Sequence, residues 1–211
     1  MKVFGRSHRG RVAGVAGVLA LALVGLSGCS SSVGVAASVG GQKITIDQLQ
    51  TSVKSITAAR KAASLPVDAK ASDLPRNQLR FFVLSALLKA AATTNGVTIS
   101  QTDIDARRKA IIDQLGGEAK LPNALANAGI AASDFALYLR DVAFEAKIGA
   151  IAAPTAPAGA TGDQARGAAV QKAVLDAGQK SKVIINPRYG TWDATKADII
   201  AVDTTGGAVQ K

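Results

Sequence analysis

The chain holds a single cysteine, Cys29, at the end of Leu26-Ser27-Gly28-Cys29, and a single histidine, His8, ahead of it. Before the cysteine, Lys2, Arg6, Arg9 and Arg11 form a basic cluster with no acid, and Val12 to Val24 carry only small or aliphatic side chains. Positive charge, a short apolar run and small residues at a cut site are the layout of an export signal. The run falls well short of the roughly 20 residues a membrane-spanning helix needs, so residues 1–28 read as a removable leader. Whatever folds is then residues 29–211. That part must fold without histidine, disulfide or free thiol, by packing alone.

The four residues from Leu26 to Cys29 resemble the Leu-small-Gly-Cys box of bacterial lipoprotein signals, which implies cleavage between Gly28 and Cys29 and acylation of Cys29. Each buried methylene of an acyl chain contributes about 0.8 kcal/mol, and more than one chain gives stable anchoring. The expected location is therefore the outer face of a cell membrane, with residues 29–34 as a polar tether.

The missing histidines exclude a Ser-His-Asp triad, a Cys-His pair and a histidine metal site in the folded part. No phosphate-cradling glycine loop is present, since Gly40-Gly41 lacks the spacing. The carboxylate pairs Asp103/Asp105 and Asp141/Glu145 fit a helix start and an exposed turn, which leaves acid–base catalysis without support. No enzyme activity, cofactor or metal is expected. The leader takes four of the 25 Lys and Arg and none of the 15 Asp and Glu, so the remainder stays basic. That excess suits an anionic surface or client; no Lys/Arg cluster interleaved with aromatics points to nucleic acid. Arg107-Arg108-Lys109, the densest basic run, spreads around a helix as a solvated face.

Apolar spacing predicts a mainly α fold. Val35 to Val39, a Gly40-Gly41 turn and Lys43-Ile44 read as a strand pair leading into a helix at Ile46–Ala63, capped by Thr45 with Gln48. Asp73 starts a second helix that is apolar around most of its circumference and so should be the most buried. Ser100 with Asp103 opens a third, ended by Gly116-Gly117; Leu121 to Ala128 form a fourth, closed by Gly129. Ser133 is expected to cap a fifth that ends at Pro154. Residues 154–162 read as a linker, and Asp163 to Lys180 as a helix with Ala168, Val170, Ala173, Val174 and Ala177 inward. Lys182 to Ile185 are β-type and can pair with Val35–Val39, joining the two ends of a domain spanning 35–200. Residues 201–211 are expected to be disordered.

Three segments together resemble a known family. Val39-Gly40-Gly41-Gln42-Lys43-Ile44-Thr45 is similar to the opening of exported chaperones and foldases of the SurA/PrsA type. Gly96 to Asp105 looks like that family's passage into its third helix. Asn186-Pro187-Arg188-Tyr189-Gly190-Thr191-Trp192-Asp193 looks like the segment that returns to the amino-terminal core after a parvulin isomerase domain. The resemblance implies a helical bundle of the SurA amino-terminal type with a small β pair formed by the domain's two ends. Only a linker and one helix stand where a parvulin domain would be, which implies no prolyl isomerase activity.

The function this implies is binding of unfolded or extended exported polypeptides, without catalysis, in an apolar cradle between the second and fifth helices. Its candidate lining is Phe81, Phe82 and Leu84 with Phe135, Leu139 and Phe144, although most such side chains on apolar helix faces are core. Tyr189 and Trp192 are candidate peptide contacts, or else a lid over the first helix with Arg188 held by a carboxylate. The alternative function is an adaptor lipoprotein docking one dedicated envelope partner. An open groove favours the first; a closed core with one flat apolar patch favours the second.

Overall fold

The computed structural model describes residues 33–67 and 73–201. Gly28, Cys29, the leader, most of the tether and nearly all of the expected disordered tail lie outside the described residues.

β1 (Val35–Val39) and β2 (Gln42–Thr45) form an antiparallel hairpin, Val39 opposite Gln42. Gly40 and Gly41 both have positive φ (56° and 90°), the conformation a two-residue hairpin requires, and glycine meets it without strain. β3 (Val183–Ile185) pairs antiparallel with the other edge of β1, Ala37 opposite Ile185 and Val39 opposite Val183. The two ends of the domain do meet. The result is a three-stranded sheet in the order β2-β1-β3, the hairpin and the returning strand joined on β1.

α1 (Ile46–Ala62) starts where the Thr45 side chain accepts a hydrogen bond from the Gln48 amide, 3.0 Å. α2 (Asp73–Thr94) buries Gln78, Leu79, Phe82, Val83, Ser85, Leu87, Leu88, Ala91 and Ala92, and is the central helix its composition predicts. α3 (Gln101–Leu115) carries the full Ser100/Asp103 capping box and ends in a left-handed Gly116; α4 (Leu121–Ala128) ends in a left-handed Gly129. α5 (Phe135–Ala152) departs from expectation at its start. A 3-10 turn, Ala132–Asp134, leads into it, and no side chain caps it; Ser133 lies inside that turn.

α6 (Ala160–Lys180) begins within the stretch read as linker, so the connection ends at Gly159. The linker is held down against the helix. Arg166 donates to the carbonyls of Ala156 and Pro157, and Gly162 sits so close to the Pro157 carbonyl that no Cβ fits. Ala168 is exposed, not inward, while Val170, Ala173, Val174 and Ala177 face protein. A second hairpin, unforeseen from sequence, joins β4 (Thr191–Asp193) to β5 (Asp198–Ile200) with Trp192 opposite Ile199. Arg80 of α2 clamps it through Asp198 at 2.8 Å.

The apolar interior falls into two clusters. The larger joins the sheet, α2, the second half of α5, α6 and the β4–β5 hairpin. The smaller is Leu121, Leu125, Phe135 and Leu139, overlaid by half-buried residues of α3 that include Ile104, Ile111 and Ile112. A polar node tacks α1, α2 and the start of α5 together: buried Ser52 and Gln78 both donate to the Asp134 carboxylate, Gln78 at 3.0 Å. Donors this deep cost about 1–3 kcal/mol each when unpartnered, so Asp134 keeps them from opposing the fold.

Candidate functional site

Three helices each present one stripe at helical spacing to a common space. From α2 come Phe81, Leu84, Ser85 and Leu88; from α5 Tyr138, Asp141, Val142 and Glu145; from α6 Arg166, Val170, Val174 and Leu175. Steps of three and four residues keep each set on one helix face. The space between them is a groove of about 860 Å³, also bordered by Arg107 of α3 and by Lys196 and Ala197 in the turn between β4 and β5. α5 and α6 approach closely at one point because Gly149 has no side chain: a Cβ there would lie 3.0 Å from the Arg166 Cβ.

The floor is apolar with one deep charge. Asp141 is only 7% exposed. Its Oδ1 accepts a hydrogen bond from the Ser85 hydroxyl at 3.0 Å, and the nearest cation, Arg140 Nε, stands 4.0 Å away. Burial dominates these contacts and pushes the Asp141 carboxyl up to about 6. One turn on, Glu145 is exposed on its solvent side yet raised in the same direction by desolvation against the groove wall. The reading of this pair as an exposed turn is therefore corrected, because α5 rotates Asp141 into the domain. The signal lay in the sequence: both acids fall in register with Tyr138 and Val142.

Around the rim, three of the four bordering cations are matched by acids of their own, and Arg107 has no ion pair among the described residues. Arg80 pairs with Asp198, Arg166 with Asp163 at 2.7 Å, and Lys196 with Asp193 at 3.6 Å. Asp103, at the start of α3, is held down to about 2 by hydrogen bonds from Lys147 and from the Ser100 amide and hydroxyl. In the basic run, Arg108 pairs with Glu118 and Lys109 with Asp113, as a solvated helix face would.

Of the aromatics and aliphatics expected to line a cradle, only Phe81 and Leu84 border the groove. Phe82 and Phe144 are buried in the larger cluster, and Phe135 and Leu139 in the smaller one, so they are core and do not line the groove. Tyr189 and Trp192 are half-buried against the larger cluster. Trp192 reaches α6 beside Gly178, and its indole N–H is shielded without a hydrogen-bond partner. Arg76 of α2 donates to the Tyr189 carbonyl at 3.3 Å. The pair therefore closes over α2 and α6, not over the first helix, and Arg188 sits over the Tyr189 ring, 5.6 Å from its centre, with no ion pair among the described residues. The groove residues that sequence reading missed are Tyr138, Val142 and the α6 stripe.

Residues 4–148, more than half of the chain, match the family model of the SurA-like N-terminal domain. The chain belongs to that family. No curated protein and no solved structure matches it. The mainly helical fold with its small antiparallel strand set agrees with the membership. The matched region runs through most of α5, so it supplies two walls of the groove, and α6, beyond its end, supplies the third. Between α5 and β3 stand only a short linker and α6. Among the described residues no helix is long and apolar enough to cross a membrane.

Proposed function

We propose that this SurA-like domain is a holding chaperone: it binds extended segments of unfolded exported polypeptides in the α2–α5–α6 groove and performs no covalent chemistry. The observation that carries this is the groove itself, an open apolar channel with a charged rim, between helices of the matched region and α6 beyond its end. Its volume is of the order that holds a few side chains, and channels of 300–1,000 Å³ are the usual size of binding clefts. The adaptor alternative has less support, since the large exposed apolar residues Val33, Val67, Ile151, Ile184 and Ile200 are spread over five segments of the chain.

The purified protein is expected to suppress aggregation of a denatured model client at near-stoichiometric ratio. Val170→Glu, which places a charge on the half-buried α6 wall, is expected to raise the amount required severalfold. Absence of suppression by the wild type at any ratio would count decisively against the reading.

The same proposal places the domain on the outer face of a membrane through acylated Cys29, which the Leu26-Ser27-Gly28-Cys29 box supports. Cys29→Ser is expected to move the protein from the membrane fraction to the soluble one and to abolish labelling by a fatty-acid precursor. Unchanged membrane retention and labelling would rule out the anchor.

A further inference from the structure

Resting on the groove as the binding site, we propose that it selects segments in which one lysine or arginine sits among apolar residues, the cation reaching the Asp141 and Glu145 carboxylates. Charge complementarity carries this. Of the four cations that border the groove, Arg80, Arg166 and Lys196 are each paired with an acid of the same chain, while Arg107 has no ion pair among the described residues. Asp141 in the floor and Glu145 on the wall one turn on are not matched in this way. Among the described residues Glu145 has no ion pair, and Asp141 has only Arg140 at 4.0 Å, beyond hydrogen-bond distance. Asp141 Oδ2 accepts no hydrogen bond from the described residues. In a chain of net charge +10, this groove therefore sets an unmatched buried carboxylate in its apolar lining.

A carboxylate nine-tenths buried beside aliphatic side chains is costly until a cation meets it. A lysine or arginine of an incoming segment meets both needs: its methylene stem lies along Leu84, Val142 and Val170, and its head reaches the acids. Asp141 and Glu145 are four residues apart on one helix face, about 6 Å between Cβ atoms, which lets one ammonium or guanidinium serve both. A neutral polar residue at that place gains only the apolar contacts.

Selection also follows pH, with every facing group counted. Ser85 and Arg80 face the pair from α2, Arg107 from α3, Tyr138 and Arg140 from α5, Asp163 and Arg166 from α6, and Lys196 from the hairpin turn. Asp141 and Glu145, whose pKa values burial raises, are the groups that take up protons first on acidification. Selectivity is expected above the Asp141 pKa of about 6 and weakened below it.

The test uses the full protein and two fluorescent, unstructured apolar peptides that differ only in a central lysine or glutamine. Near pH 8 the lysine peptide is expected to bind roughly tenfold tighter by anisotropy, the scale of a charge-assisted contact, and the ratio to shrink near pH 5. In the Asp141→Asn/Glu145→Gln double variant, with its fold checked by circular dichroism and melting, the ratio is expected to fall towards one. Equal binding of both peptides by the wild type overturns this proposal and leaves the groove reading standing. Binding of neither overturns both. A lysine preference that survives in the double variant places the selection elsewhere and overturns the assignment.

Discussion

Asp141→Asn is expected to raise the melting temperature near neutral pH and to leave it almost unchanged near pH 4. The folded-state pKa of Asp141, about 6, lies above its ordinary value of 3.8 because burial disfavours the charged form. Between those two values the native state holds more protons than the unfolded one, so stability falls as pH rises through that window. Above it the ionised group opposes folding by roughly 3 kcal/mol, from about 1.4 kcal/mol for each tenfold change in proton affinity. Asparagine keeps an oxygen for the Ser85 hydroxyl and removes the charge. After allowing for the new amide donors, about 2 kcal/mol is expected to remain, or about 4–8 °C for a domain of this size. Melting curves of both proteins across pH 4 to 8 decide it: an equal shift at both ends, or a loss at neutral pH, contradicts the buried, ionised carboxylate. Asp103 works in the opposite sense. Its depressed pKa, about 2, contributes stability that is present above about 3.8 and lost as pH falls through about 2, outside the window where Asp141 acts. A residue that costs stability at neutral pH while facing a groove is the pattern of a site kept for binding.

Truncation after Lys182 is expected to abolish cooperative folding. The segment removed supplies β3, which is hydrogen-bonded to the central strand, and the β4–β5 hairpin. It takes away Ile185 and Ile199, which are buried, and Tyr189 and Trp192, which are half-buried against the same cluster. At about 1.5–3 kcal/mol for each fully buried large apolar side chain, the loss is comparable with the 5–15 kcal/mol of a whole domain. It also strips Ala37 and Val39 of their partners and Arg80 of Asp198. Near-ultraviolet circular dichroism and a thermal melt provide the measurement. A sharp transition within a few degrees of the full-length protein would show that the carboxyl-terminal strands are an appendage.

Local signals carried much of the fold. Thr45 with Gln48, Ser100 with Asp103, Gly116 and Gly129 each act through neighbours a few residues away, and the elements they bound lie where spacing predicts. The start of α5 was less legible. Ser133 is a good capping residue by type, but Asp134 is drawn to Ser52 and Gln78, partners far away in sequence, and the chain enters the helix through a 3-10 turn. The β4–β5 hairpin was hidden for a similar reason. Its strands are three residues each, too short for alternation to show, and what orders them is the Arg80–Asp198 pair and the packing of Trp192 beside α6.

The candidate site divides in the same way. The proposal for Cys29 rests on a contiguous string that a peptidase and an acyl donor would read without any fold. Phe82, Phe135 and Leu139 were grouped by apolar character, a property that core and groove residues share. Which face of α2 and α5 meets α6, and therefore whether Phe81 or Phe82 borders open space, is decided by helix rotation and by close approaches such as Gly149 against Arg166. The helical elements, most of their caps, the meeting of the domain's two ends and the lack of histidine and cysteine beyond residue 29 could be read from the sequence alone. Only the tertiary structure decided that Asp141 is buried in the groove wall. A side chain's pKa and accessibility depend on every element packed around it, and spacing along one helix records only its own.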